Sequence, residues 1–527
     1  MKFNRYIIAG IAAAMTMGMS TSCVGDLDVE PENPTTKTEL TSKEDYLGLM
    51  ARAYGGLVFG GGVQVNDEGR AIYTRLMWNL QELGTDETIM GDNWKDAGIP
   101  EVKSANAGPD CAMLYEAYCR FNYQIAICNA FLRDIDKGAG YFTPEEVNQF
   151  KCEARTLRAL AYYHIIDIFG KGPWVTEANI VGSIPPTYSR AELFDAVTAD
   201  LADAINGLVP ASQQIYGRLS REAGKMLLAK LYLNAEVYTG KAMWQECANL
   251  CLEIKNAIPW NPSLEYKYLF CATNDKYVGN SEIIWAVPQD ANTIQTYGGT
   301  TYLSVGAYNA KVDCLPYGCA GDQWAGPRVH PQLSRNLIST DKRRLIYQGK
   351  LHEDVTPDDM ADWTENGGGY MCVKYVYTPE TNYDNADGTA TAVNAYNNTD
   401  YPLFRLADVY LMLAECELHG ASGCDGVNRF NDVRLRAGVA PVGSLNADDL
   451  LKERMCELYW EGHRRSDLIR FGKYTGNSYN WEWKSGNYNG ANIADYRSLY
   501  AIPVQFESTL GQNPGYPTGG AIPAPEE

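Results

Sequence analysis

The chain has 527 residues, 45% of them apolar and 21% charged, so it can bury a substantial core and does not have the composition of a disordered chain. A formal net charge of −20 repels phosphate polymers, which argues against a nucleic-acid partner and also against sulfated or uronate-rich ligands. Tyrosine is over-used, with 36 copies beside 11 tryptophans; such rings offer flat apolar faces with a polar edge, suited to ligands that are half apolar and half hydroxyl.

At the N-terminus, Lys2 and Arg5 flank the start of a short apolar segment, IIAGIAAAMTMGM, and STSC brings small residues up to Cys23. This pattern predicts a secretory signal over residues 1–22, too short to span a bilayer. Cys23 stands where a relaxed lipobox places its lipidated cysteine, so the mature chain would be anchored through it. A plain signal peptide followed by a coincidental cysteine is the alternative. Residues 24–42 are acidic, proline-bearing and poor in large apolar groups. They read as a tether of roughly 50 Å if extended at ~3 Å per residue. No later stretch reaches the ~18 apolar residues of a spanning helix.

Residues 43–527 read as one mostly α domain, with helical repeats over about 43–58, 111–257 and 402–472 and loop-rich portions over about 59–110 and 259–401. The segment 143–170 opens with Thr143 as N-cap, Pro144 in the first turn and Glu146 closing a capping box. Its Phe150, Ala154, Leu157, Ala161 and Ile165 recur at helical spacing, and Gly170 with Pro173 ends it. A second capping pattern, SRAE at 189–192, starts the next helix. Helices follow over 220–240, 243–257, 402–420, 426–439 and 446–472. Paired helices with alanines at crossing points predict a TPR-type scaffold, although no strict 34-residue period is visible. The Gly-, Asn-, Thr- and Tyr-rich texture of 259–401 predicts long irregular loops with a few short strands. Loops on a rigid body are where binding residues tend to sit. Apart from Cys23, thirteen cysteines remain of the 14, with no C-x-x-C pair, so neither zinc spacing nor a disulfide framework is predicted; a Cys314–Cys319 bridge has no support beyond proximity.

The stretch ERMCELYWEGHRRSDLIRFGKY (453–474) concentrates the charge. Glu453, Glu457 and Glu461 stand four apart, which on one helix places three carboxylates on one face, with Glu461 meeting Arg464 and Arg465 and Asp467 meeting Arg470. Acid and base balance, and His463 is the single histidine, so a salt-bridge lattice is predicted here rather than a metal or catalytic site. No G-x-S-x-G, H-E-x-x-H or P-loop occurs. A glycosidase needs only two carboxylates at a fixed separation, which a sequence does not display, so a surface glycoside hydrolase stands as the rival reading.

CVGDLDVEP, EARTLRALAYYHIIDIFGKGP, FRLADVYLMLAE, FNDVRLRAG, the 453–474 stretch and YAIPVQFESTLGQNPGY resemble, in order and over nearly the whole chain, the SusD/RagB family of outer-membrane glycan-capture lipoproteins of Bacteroidetes. YGGTTYL (297–303), WEWKSGNYNG (481–490) and LYLNAEVYTG (231–240) are most similar to its starch-binding founding member. The resemblance implies a SusD-like fold without enzymatic activity. It also implies capture of starch or malto-oligosaccharides at the cell surface and delivery to a SusC-like TonB-dependent transporter. Within the site it implies ligand contacts from Asp67, Arg75, Tyr297 and Trp324, with Asp96 near a further contact. Asp and Arg would bond vicinal hydroxyls while the rings stack on sugar faces. One departure is clear: Ile89, Met90 and Gly91 stand where the starch-binding member has an aromatic, and Trp94 follows. Trp94 either takes over the stacking or only packs a loop. No cofactor is expected beyond a structural calcium near Asp275, for which the ligand set is incomplete.

Overall fold

The computed structural model describes residues 40–62, 69–180, 182–309, 317–318, 323–363, 367–380 and 395–519. The signal segment, Cys23, the tether up to residue 39, Asp67, Cys314 and Cys319 lie outside them. The scaffold is built from helices α1 (Lys43–Gly55), α2 (Tyr73–Glu82), α3 (Ala112–Asp134), α4 (Pro144–His164), α5 (Arg190–Ile205), α6 (Arg221–Leu233) and α7 (Trp244–Ala257). A short α8 (Gly299–Ser304) follows, then α9 (Leu406–Leu418), α10 (Gly426–Arg436), α11 (Ala447–Leu458) and α12 (Arg464–Arg470). From α3 to α7 each helix packs on the next, and α7 passes the contact to α9 and α9 to α10. The starts are chemically specified. Thr143 accepts from the Glu146 amide while Glu146 reaches back, and Ser189 and Glu192 do the same at α5, each satisfying amides that a helix start leaves orphaned. One apolar cluster runs from Ala53 to Tyr516. Among the described residues no helix is long and apolar enough to cross a membrane, and the eleven described cysteines are free.

Strands are few and short. Those that matter are β1 (Thr88–Ile89), paired antiparallel with β2 (Arg328–Val329), and the buried pair β3 (Ile283–Val287) with β4 (Tyr401–Arg405). Three expectations are corrected. PLFR is strand β4, not the first turn of a helix, because its residues are buried on both faces and pair with β3. Within the stretch read as loop, Tyr73–Glu82 is a helix whose every residue is buried. Its apolar residues do recur at helical spacing, but it is only ten residues long and is bracketed by glycine-rich loop, and its polar Arg75, Asn79, Gln81 and Glu82 are buried with the rest.

The third correction concerns 446–472. Tyr459–His463 breaks it into α11 and α12, with Trp460 and Gly462 at φ +63° and +76°. Glu461 therefore leaves the common face. It bonds Arg405 at 2.6 Å and Lys374 at 2.7 Å instead of Arg464 and Arg465. Arg464 grips Asp86 through two nitrogens, at 2.6 and 2.8 Å, and Arg465 donates to the Arg497 and Ser498 carbonyls. The Asp467–Arg470 pair is present at 2.8 Å. The lattice is real but buried. Arg343 reaches Glu453 at 2.6 Å and Glu457 at 3.2 Å, and Arg405 reaches Glu282 and Glu457 at 2.6 and 3.0 Å. Burial alone would raise the Glu457 carboxyl, but Arg436, Arg405 and Arg343 outweigh it and hold it at about 2. Fully paired carboxylates of this kind brace a scaffold and have no free proton to give to a substrate.

Candidate functional site: a ring-lined cleft

On the side of the scaffold built from loops, an open cleft of about 960 Å³ is lined by Arg75, Trp94, Asp96, Tyr297, Trp324 and Tyr396, with Phe59 at its edge. Arg75 sits in the first turn of α2. Its guanidinium lies 4.0 Å from the centroid of the Tyr302 ring on α8, and Nη2 donates to Asp96 at 2.7 Å. Tyr302 is itself fixed by a hydrogen bond to Asn79 at 3.0 Å, and burial pushes its phenol up to about 12. The guanidinium is therefore held flat by a ring and aimed by a carboxylate. Arg75 is 4% exposed and Asp96 36%, so the carboxylate keeps lone pairs available at the cleft wall.

The two tryptophans arrive from either side of the β1–β2 ladder. After β1 the chain turns at Gly91, whose Cα lies against the Trp363 ring, and the Trp94 amide bonds the Gly91 carbonyl at 3.4 Å. Before β2, Trp324 and Gly326 donate to the Val305 and Gly306 carbonyls at 3.1 and 2.7 Å. Gly326 is required by this approach, since a Cβ there would stand 2.7 Å from the Trp94 ring. The result is a Trp94–Trp324 pair with centroids 6.4 Å apart and planes at 47°. Tyr297 precedes α8 and meets Trp324 at 5.7 Å and 64°, then Tyr396 at 5.2 Å and 44°. Tyr396 is carried to this place by its neighbour Asn397, which bonds Thr301 and Ser304 of α8 at 3.0 and 3.1 Å. Its phenol is raised, first through a hydrogen bond with Tyr297.

Of the residues predicted from sequence, the structure brings Arg75, Trp94, Asp96, Tyr297 and Trp324 into this one cleft, and Asp67 is outside the described residues. Ile89 and Met90 are buried, the former in β1, so the position of the missing aromatic faces the core and Trp94 is the ring that reaches the cleft from this segment. Tyr396 and Phe59 were missed. Each is a lone aromatic in a glycine- or asparagine-rich run, and nothing local distinguishes it from a loop anchor. Asp275 is exposed on a short 3₁₀ turn, and among the described residues no three His, Cys, Asp or Glu gather to hold a metal ion.

A model of the SusD family matches residues 292–516, and a second, described as starch-binding associating with outer membrane, matches residues 86–233. The chain is 29% identical to the starch-binding protein SusD of Bacteroides thetaiotaomicron, over 96% of this chain and 98% of that protein. Among solved structures, a surface glycan-binding protein A from Bacteroides thetaiotaomicron in complex with laminarihexaose aligns with TM-score 0.69 at 18% identity, covering 90% of this chain and all of the other. Its counterpart from Bacteroides uniformis aligns with TM-score 0.67 at 20% identity, over 90% of this chain and 99% of that one. The chain therefore has the SusD-like fold and resembles the SusD/RagB family over most of its length.

Proposed function

We propose that the chain captures starch and malto-oligosaccharides at the outer membrane, held there through a lipidated Cys23, and passes them to a SusC-like TonB-dependent transporter. The observation that carries the α-glucan reading is the succession of four rings, Trp94, Trp324, Tyr297 and Tyr396, turned by 47°, 64° and 44° from one to the next. A flat ribbon such as cellulose offers apolar faces in one plane, whereas a coiled α-1,4-glucan turns its faces along the chain and suits rings that share no plane. Arg75 and Asp96 stand beside the arc to bond vicinal hydroxyls. The similarity to a protein named as starch-binding, and the outer-membrane description of the second family model, support the same reading. Hydroxyl contacts replace water contacts nearly one for one, so affinity is set at about 10 μM to 1 mM.

Titration calorimetry and affinity electrophoresis test this. Wild type should bind maltoheptaose and be retarded in starch gels without releasing reducing ends. Trp324→Ala and Tyr297→Ala should each weaken binding roughly tenfold with the melting temperature unchanged. Binding of laminarihexaose in preference to maltoheptaose would replace the α-glucan by a coiled β-glucan. Binding unaffected by both substitutions would remove the cleft from the account.

A further inference from the structure

A second depression, of about 400 Å³, runs along α1 and is lined by Gly48, Arg52, Phe59, Gly60 and Tyr123 among others. Phe59 and Gly60 also line the ring-lined cleft, so the two concavities share a wall and that wall is an aromatic ring. Phe59 is 47% exposed, with the Gly55 backbone against one edge of the ring. Beyond it, Tyr123 receives a hydrogen bond from Arg52 Nη2 at 2.9 Å. Beneath, the wholly buried Arg120 lies 5.7 Å from the Tyr123 ring centroid. It also donates to the Gly61 and Ala71 carbonyls at 2.8 and 2.7 Å. Both rings therefore stand on backbone that is already fixed, which spares a ligand the ordering cost.

We infer that this groove is a second glycan subsite, in which the neutral chain that fills the ring-lined cleft continues past Phe59 and lies along α1. Tyr123 is its far platform and Arg52 its donor to hydroxyls. The inference rests on the reading that the first cleft binds glycan. The occupant follows from continuity. The two depressions share Phe59 and Gly60, so a chain leaving the first cleft over Phe59 is led into the second, and both volumes fall within the ~300–1,000 Å³ of ordinary small-ligand sites. The surface presented is an exposed Phe59 ring and a half-buried Tyr123 whose hydroxyl accepts from the exposed Arg52. A docked protein helix would instead need a broad apolar stripe, and among the described residues Phe59 is the one large apolar side chain that lines the groove.

The consequence is a dependence on chain length. Calorimetric titrations of the full chain with maltotriose and maltoheptaose, and in parallel with laminaritriose and laminarihexaose, should show tighter binding of the longer member of whichever series binds. Tyr123→Ala should cut affinity for the longer sugar roughly three- to tenfold and leave the trisaccharide unchanged. A second variant, Gly48→Leu with Ala51→Leu, fills the groove. An added Cβ at Gly48 meets nothing within 4 Å, Ala51 is exposed, and both changes suit a helix, so this variant should fold and show the same selective loss. Trp324→Ala should weaken both lengths. Equal affinity of wild type for short and long sugars, or long-chain binding untouched in both groove variants, would overturn the subsite while leaving the first cleft standing. Failure of wild type to bind either series would remove the cleft reading and the subsite with it.

Discussion

Glu82 closes the last turn of α2 with no exposure to solvent, and its Oε1 accepts from the Gly462 and His463 amides at 2.7 and 3.2 Å. Those two bonds and a hydrogen bond with Glu87 stabilise a carboxylate, yet burial outweighs them and raises its pKa from 4.5 to about 7; Glu87 is raised well above its ordinary value, by burial first and then by the Glu82 charge. Two carboxyls buried together hold a proton that solvent-exposed acids would release. This proton removes a repulsion where the chain breaks between α11 and α12. A raised carboxyl favours the fold below its unfolded pKa and loses that contribution as pH climbs through the folded value. Glu82→Gln keeps an acceptor for both amides and never ionises. Urea unfolding should therefore find the variant about 1–2 kcal/mol more stable than wild type at pH 8, and level with it near pH 5.

The break itself is an element with a sequence cause. Gly462 adopts φ +76°, and a Cβ there would stand 2.7 Å from the Met77 sulfur. Gly462→Ala should accordingly cost about 1–3 kcal/mol in urea unfolding, whereas Gly443→Ala, on a position with open space around it, should cost little. The glycine was visible in EGHRRSD, but the four-residue spacing of Glu453, Glu457 and Glu461 outweighed it, because periodicity is indifferent to a turn that preserves the count. Capping boxes at Thr143 and Ser189 were legible for the opposite reason, their partners being three residues away. The cleft was legible only through family resemblance. Trp94 meets Trp324 across 230 positions because β1 pairs with β2, and Tyr396 reaches Tyr297 because Asn397 bonds α8. Neither long-range pairing leaves a local trace, and Tyr396 had no matching motif to carry it.

Across the whole molecule the buried charges give stability a predictable pH profile. Glu457, held at about 2 against a free value of 4.5, contributes fully above pH 4.5 and loses that contribution as pH falls toward 2. His164 and His463 are depressed by burial from 6.5 to about 4 and about 3, so they too withdraw stability as acid forces protons onto rings the fold keeps neutral. Glu82 and Asp400, both raised to about 7 and in each case chiefly by burial, act in the reverse sense, favouring the fold at lower pH. Between about pH 4.5 and 6.5 the two sets oppose each other, and below pH 3.8, the free value of Asp400, every one of these groups that still titrates pulls toward unfolding. The urea midpoint should thus form a broad maximum near pH 5–6, decline gently toward pH 8 and collapse below pH 4. In Glu82→Gln the gentle alkaline decline should shrink while the acid collapse stays, since that limb belongs to the lattice and the histidines. A midpoint that rose steadily from pH 5 to 8 would mean that Glu82 and Asp400 are ionised in the fold at little cost, and that the core around the α11–α12 break is wetter than its packing implies.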